Sequence, residues 1–125
     1  MPSKLRLQRI SDRFKQEISE MLVMGQINDP RLIGVFITDV KVDRELSFAN
    51  IFVSAIGEEE TSESILEGLE HASGFLRSSL AKRIELRSFP RLRFFWDSTP
   101  ERAERIERLI DSISKQKPAS NKKDE

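Results

Sequence analysis

Two short runs rich in β-branched residues, separated by four residues, constrain the fold of this chain more than any other feature. Val35 to Val42 reads VFITDVKV, Ser47 to Ile56 reads SFANIFVSAI, and only DREL stands between them. β-Branched and aromatic residues favour strands, and a short polar connection joins neighbouring strands that run antiparallel. The sequence therefore predicts an antiparallel β-hairpin.

The second of these runs also indicates which of its sides faces a core. Side chains of a strand alternate between the two faces of the sheet. The compact set is predicted to face the core and consists of Ala49, Ile51, Val53 and Ala55. Phe48 and Phe52 then lie on the opposite face, where they could stack on nucleic-acid bases or form half-buried packing within the sheet.

Helical periodicity precedes and follows the hairpin. The first stripe ends at Gly25 and the break Asn28-Asp29-Pro30, and the second begins after a cap at Thr61 or Ser62. The apolar positions are Leu7, Ile10, Phe14, Ile18, Met21 and Leu22 in the first helix, and Ile65, Leu66, Leu69, Ala72, Phe75, Leu76, Leu80 and Ile84 in the second.

The C-terminal part predicts a third strand and a last helix. RLRFFW, from Arg91 to Trp96, alternates as a strand does, with Arg93 and Phe95 on the side away from the core. Thr99-Pro100-Glu101 is typical of a helix start, with a hydroxyl cap, a proline and an acid. The apolar face of this helix is predicted to consist of Ala103, Ile106, Leu109, Ile110 and Ile113.

The predicted order is helix, strand, strand, long broken helix, strand, helix, which indicates an α+β domain. A three-stranded sheet with helices packed on one face buries these apolar surfaces most economically and leaves the other face open. With 125 residues the chain suffices for one domain, predicted over residues 1–114. Residues 115–125 have nothing to bury and are expected to form a disordered polar tail.

The charges are strongly segregated although the net charge is zero. Residues 4–15 contain five basic side chains and one acid, and residues 75–93 contain six and one, whereas residues 57–71 contain six glutamates and no Lys or Arg. A polyanion feels the local field within about 8–10 Å at cellular salt. This distribution suits a protein that meets phosphates with one face, although the cations of the first helix could also be an ordinary solvated surface.

Several classes of chemistry find no support in the residues. The chain has no cysteine and one histidine, His71, which is better interpreted as a packed or surface residue than as a catalytic base. No GxxxxGK loop is present, and the consecutive glutamates 58–60 diverge too much to cage a metal ion. We therefore predict a protein without catalytic activity, metal or cofactor. With neither a secretory signal nor an apolar run of about 20 residues, a cytoplasmic location without membrane contact is expected.

A glycine interrupts the second helical stripe. Glycine within a helix costs about 1 kcal/mol relative to alanine, so Gly74 suggests that the chain turns there or that something approaches the backbone. Ala72 is small, and Ser73 can bond to the backbone and loosen the helix. The segment Ala72-Ser73-Gly74 is therefore predicted to be a kink between two helices.

The order and spacing of these segments resemble the ribosome-binding factor A family. The matching residues include DPR at Asp29 to Arg31, VFITDVKVDRELSFANIFVS at Val35 to Ser54, ASGFLRSSLAKRIELRSFPRLRFFWDST at Ala72 to Thr99, and the ERIERLI helix that follows. The resemblance covers the chain to about Lys115.

The resemblance implies a KH-like domain of the second topology, in which the Ala-Ser-Gly kink replaces the usual GXXG loop. It implies a monomeric, non-catalytic assembly factor that binds the small (30S) ribosomal subunit and its 16S rRNA and assists late maturation, including 5′-end processing and growth in the cold. Other assembly factors, including a GTPase, are further candidate partners. The side chains expected to contact rRNA are Arg6, Arg9, Arg13, Arg77, Lys82, Arg83, Arg87 and Arg91.

Two alternatives remain open at this point. One is a protein-interaction module recruited to pre-ribosomal particles through the acidic segment 58–70 and through Phe48, Phe52 and Phe95. The other is a small nuclease, which incubation of precursor rRNA with the protein and magnesium would reveal.

Overall fold

The chain folds into helices and strands in the order that the sequence predicts. The computed structural model describes residues 3–57 and 60–116. The elements are α1 (Lys4–Val23), a 3₁₀ turn (Pro30–Leu32), β1 (Val35–Val42), β2 (Phe48–Ala55), α2 (Ser62–Arg83), β3 (Arg91–Trp96) and α3 (Thr99–Gln116). The predicted α+β class is confirmed, whereas the 3₁₀ turn was not predicted. α3 continues into the segment predicted as a tail, and residues 117–125 lie outside the described residues.

The three strands form one sheet with β2 in the centre. β1 pairs antiparallel with β2, as the hairpin pattern predicts, and β3 pairs parallel with β2. Parallel neighbours need a long crossover connection, and α2 supplies it. In β1 the register shifts between Ile37 and Asp39, so that Thr38 forms a bulge. The Lys15 ammonium of α1 donates to the Thr38 carbonyl at 3.4 Å.

One face of the sheet, together with α1 and α2, encloses the hydrophobic core. The predicted core positions Ala49, Ile51 and Val53 of β2 are fully buried, and Ala55 is partly buried. Complete burial of side chains such as these stabilises the fold by about 1.5–3 kcal/mol each. The other fully buried apolar side chains of the helices are Phe14, Ile18, Met21, Ile65, Leu69, Leu76 and Leu80.

α2 is a single helix from Ser62–Arg83 and passes through Gly74 without an interruption. The separate helices expected on either side of Ala72-Ser73-Gly74 are therefore not found. Buried Leu69, Leu76 and Leu80 hold both halves of α2 against the core, which offsets the cost of an interior glycine. The Ser73 hydroxyl donates to the Glu70 carbonyl at 2.8 Å, the local bond expected of this serine.

α3 does not join the helices that cover the sheet. Its predicted apolar side chains Ile106, Leu109, Ile110 and Ile113 are 46–60% exposed, and the described core contains no residue of α3. Asp97 fixes the start of α3 at the edge of the sheet. Its amide donates to the Val53 carbonyl at 2.7 Å, and its carboxylate accepts from the Thr38 hydroxyl at 2.7 Å and from the Thr99 amide at 2.9 Å.

Candidate nucleic-acid interface

α1 presents the first group of predicted cations to solvent. Ser3 caps the helix by accepting a hydrogen bond from the Arg6 amide at 3.1 Å. Because Ile10 and Phe14 point into the core, Arg6, Arg9 and Arg13 lie on the exposed side. The first turn contains no acidic residue that would balance the positive end of the helix dipole.

The two basic stretches of the sequence meet where α1 contacts the end of α2. Arg13 Nη2 donates to the Arg83 carbonyl at 3.0 Å. Glu17 bridges both guanidinium groups, at 3.0 Å from Arg13 Nε and 3.0 Å from Arg83 Nη1. The hydrogen bond from Arg13, followed by that from Arg83, holds the pKa of the Glu17 carboxyl below its ordinary value. Arg13 and Arg83 therefore share one carboxylate and are less available to phosphates than their sequence positions suggest.

An aromatic pair places the segment between α2 and β3 beside α1. The rings of Phe14 and Phe89 stack with their centroids 5.4 Å apart. Arg77 holds the same segment from the other side, since its guanidinium donates to the carbonyls of Phe89 at 2.8 Å and Pro90 at 3.1 Å and lies over the Phe89 ring. Arg87 is exposed on this segment, two residues before Phe89.

A surface depression lies where α2 passes β3. It has a volume of about 410 Å³ and is lined by Glu70, Ser73, Gly74, Arg77, Arg91 and Leu92. A Cβ atom added to Gly74 would meet no atom within 4 Å, so no neighbour within the described chain requires a glycine there. The depression thus exposes helix backbone between two arginines.

The eight predicted side chains fall into three situations. Arg13 and Arg83 are held at the Glu17 bridge, whereas Arg77 clamps the segment before β3 and also lines the depression with Arg91. Among residues 3–57 and 60–116, no carboxylate lies within 4.0 Å of the cationic groups of the remaining predicted residues, which are Arg6, Arg9, Lys82 and Arg87.

Sequence reasoning missed a network on the other side of α2. Arg31 donates to both carboxylate oxygens of Asp29, and its Nη2 lies 3.3 Å from His71 Nδ1 and its Nη1 3.5 Å from Glu67. The bonds from Arg31 hold the pKa of the Asp29 carboxyl below its ordinary value. Gly68 of α2 gives this turn room, because its Cβ position is 3.2 Å from Asp29 Oδ2. The tripeptide Asp29-Pro30-Arg31 was the available signal, since its acid and base can pair locally.

Two other kinds of site have no counterpart among the described residues. Within them no three His, Asp or Glu side chains group in a way that could hold a metal ion. None of the helices in this part of the chain combines the length and the apolar character that crossing a bilayer requires.

Comparison of the sequence with known proteins gives a consistent match. The family model described as ribosome-binding factor A matches residues 6–110. A protein named ribosome-binding factor A from Nitrosomonas europaea is 41% identical over 103 residues, which cover 82% of this chain and 87% of that protein. A protein of the same name from Aromatoleum aromaticum is 35% identical over 125 residues, with coverage of 99% and 98%.

Solved structures agree with the sequence matches. The crystal structure of ribosome-binding factor A from Thermus thermophilus superimposes with a TM-score of 0.64 at 28% identity, covering 72% of this chain and 93% of that chain. A homology model of the Thermus thermophilus factor, fitted into the electron cryo-microscopy map of a 30S complex, gives a TM-score of 0.53 at 29% identity, with coverage of 70% and 96%. Because the family match extends from α1 into α3, this chain belongs to the ribosome-binding factor A family.

Proposed function

We propose that this protein is a cytoplasmic assembly factor that binds the small ribosomal subunit and its 16S rRNA and assists late maturation of the subunit, including 5′-end processing, without catalysing a reaction. Family membership supports the proposal, as does the 30S complex into which the coordinates of a relative have been fitted. The rRNA contacts and the maturation step go beyond this support and are proposed here.

The observation that carries the proposal is the exposed backbone at Gly74. The glycine costs the helix about 1 kcal/mol, and no close approach within the described chain accounts for it. A ligand that must come near the helix backbone does account for it. With Arg77 and Arg91 lining the same depression, the fitting ligand is a phosphate backbone, in the manner of a KH-like domain whose Ala72-Ser73-Gly74 segment stands in for the GXXG loop.

The surrounding cations extend this contact zone from β3 to α1. Arg87 is exposed on the segment that Phe89 anchors to Phe14, and the proposed zone includes it together with the exposed Arg6 and Arg9. Guanidinium groups suit phosphate because their planar fork can donate two parallel hydrogen bonds. Counterions released from the neutralised phosphates would then drive binding and make it sensitive to salt.

Charge reversal at matched positions tests the proposal. Arg87→Glu should weaken binding to 30S subunits and to 16S rRNA. Because at least one phosphate contact is lost, the slope of log K against log salt should become shallower by about one or more. Arg105→Glu is the control, because it makes the same change of net charge on exposed α3, away from the proposed zone. Titrations at several salt concentrations measure both variants.

The comparison of the two variants decides the outcome. An equal loss of binding affinity in the two variants would mean that net charge, rather than a defined contact zone, determines binding, and would contradict the proposal. Binding of the unaltered protein that does not change with salt would also contradict it.

A protein-interaction module is the second candidate function, favoured by the exposed apolar stripe of α3. In that case Ile106→Ser and Ile110→Ser on α3 should abolish recruitment to particles, while Arg87→Glu should not. Capture of protein-free 16S rRNA distinguishes the two functions, since only the first requires it.

A further inference from the structure

The sheet face opposite the core carries aromatic and cationic side chains, and Lys41, Arg91, Arg93 and Phe95 among them are exposed. We propose that this face binds unpaired RNA bases, with Phe95 and Arg93 as stacking platforms. The inference builds on the proposed function, because it adds a base-contacting surface to a protein whose other contacts are with phosphates.

The strand register brings the platform residues together. Phe52 of β2 is paired with Phe95 of β3, and Asn50 with Arg93. On the other side of β2, Asn50 is paired with Lys41 of β1. Because alternate residues share a face, these side chains project from the same side of the sheet. Arg93 and Phe95 are two residues apart and therefore separated by roughly 7 Å along β3.

Phe95 is the open end of a small aromatic stack. Its ring and that of Phe52 are stacked with centroids 5.4 Å apart and planes inclined by 27°. The Lys41 ammonium lies 5.9 Å from the centroid of the Phe52 ring. Phe95 is 40% exposed, so a base can extend the stack on its free side. Stacking of this kind tolerates any base, because every base has a π face.

Arg93 forms a second platform that is already ordered. Its guanidinium carbon lies 3.8 Å from the centroid of the Phe48 ring, and its Nε donates to Asn50 Oδ1 at 3.0 Å. The ring backs one side of the planar group, while the residue remains exposed. RNA bases stack on guanidinium planes as they do on aromatic rings. Little conformational freedom remains to be lost when a base stacks on this arginine.

The charge of the face selects nucleic acid rather than a protein surface. Of the strand residues that project from it, Lys41, Arg91 and Arg93 are cationic, and Asp39, which lies opposite Phe52 in the register, is acidic. The exposed aliphatic side chains of the described residues lie elsewhere, on α1, α3 and the loops at the ends of the strands. Aromatic rings between cations, without an aliphatic patch, match single-stranded RNA, whose bases stack while its phosphates meet the cations.

A pair of ring-removing substitutions tests the inference. Phe95→Leu keeps an apolar side chain but removes the ring from the platform, and Phe75→Leu does the same on α2, where Phe75 is 50% exposed. Affinity is measured for a single-stranded RNA of roughly ten nucleotides and for a strand of equal length without bases. Phe95→Leu should weaken binding of the complete strand about fivefold or more, while Phe75→Leu should leave it unchanged.

The strand without bases provides the second readout. It should bind the unaltered protein more weakly than the complete strand, and Phe95→Leu should not weaken it further. Phe95→Trp should restore binding of the complete strand, which separates loss of a platform from loss of folding. Equal affinity of the unaltered protein for both strands would overturn the inference, as would equal effects of Phe95→Leu and Phe75→Leu.

The same measurements separate this inference from the proposed phosphate contacts. If Arg87→Glu weakens both strands but Phe95→Leu weakens neither, the phosphate zone stands and the sheet platform is overturned. If Phe95→Leu weakens the complete strand while Arg87→Glu has no effect on either strand, the platform stands and the phosphate zone fails. If Phe95→Leu lost binding to a ribosomal protein while its RNA binding stayed intact, the platform would also be overturned.

Discussion

Two glycines of one helix show how environment decides the role of a residue. Gly68 and Gly74 both lie within α2. A Cβ atom on Gly68 would come within 3.2 Å of Asp29 Oδ2 and 3.3 Å of Arg31 Nε, whereas one on Gly74 would meet nothing within 4 Å. Gly68 therefore serves the packing of the chain, whereas no contact within the described residues accounts for Gly74.

Two single substitutions, Gly68→Ala and Gly74→Ala, should change the stability of the protein in opposite directions. Gly74→Ala should raise the free energy of unfolding by up to about 1 kcal/mol, because alanine favours the helix and has room. Gly68→Ala should lower it, since Asp29 and Arg31 are fixed by their own ion pair and cannot easily give way. Urea unfolding of the two variants measures the difference, and a gain from Gly68→Ala equal to that from Gly74→Ala would contradict this reading.

The individual cations could be predicted from the sequence only in part. Their positions on exposed helix faces follow from the apolar periodicity of the opposite face. The sharing of Glu17 between Arg13 and Arg83, and the clamping of the Phe89 segment by Arg77, could not be predicted. Such contacts depend on how two elements pack against each other, and the apolar periodicity of a single element does not predict this packing.

At the scale of elements, the Glu17 bridge is the polar link between α1 and α2. Glu17→Gln should lower the free energy of unfolding by up to about 1 kcal/mol, since it removes a carboxylate shared by two guanidinium groups. The substitution also releases Arg13 and Arg83 from Glu17, although Arg83 keeps Glu20 at 3.8 Å, so binding to 16S rRNA fragments should become tighter. Urea unfolding and RNA titration of the same preparation provide both values.

The contribution of this bridge should depend on pH in a definite direction. The pKa of the Glu17 carboxyl is lowered from its ordinary value of 4.5, so the bridge contributes fully above that value and is lost as the pH falls through the lower folded pKa. The difference in stability between the unaltered protein and Glu17→Gln should therefore shrink in acid. A difference that stays constant from pH 7 down to about 3 would contradict the assignment.

The elements themselves were predicted more reliably than their packing. β-Branched residues and alternation identified the three strands and the core side of β2, the cap identified the start of α2, and Thr99-Pro100-Glu101 identified the first turn of α3. The expected break in α2 was wrong as a boundary between helices, because burial on both sides of Gly74 outweighs its low propensity. Periodicity identified the apolar face of α3, but it could not predict whether another element covers that face.

For the whole molecule, the core is complete without α3. The buried apolar residues of the described chain come from α1, α2, the sheet and the segments that connect them. A chain ending after Ser98 should therefore remain folded and lose about 1 kcal/mol or less. Phe14→Ala is the contrasting variant, because it opens a cavity in the core and should cost about 3–5 kcal/mol. A loss of several kcal/mol on truncation would show that α3 supports the fold.

The bulge at Thr38 has a consequence for how these molecules behave when crowded. β1 is an edge strand, and an uninterrupted edge is a template on which a further copy can add its own strand. Here the bulge breaks the regular spacing of that edge, and the Lys15 ammonium engages the Thr38 carbonyl. The β1 margin of the sheet is thus a poor template for strand addition, so polymerisation through this strand is disfavoured.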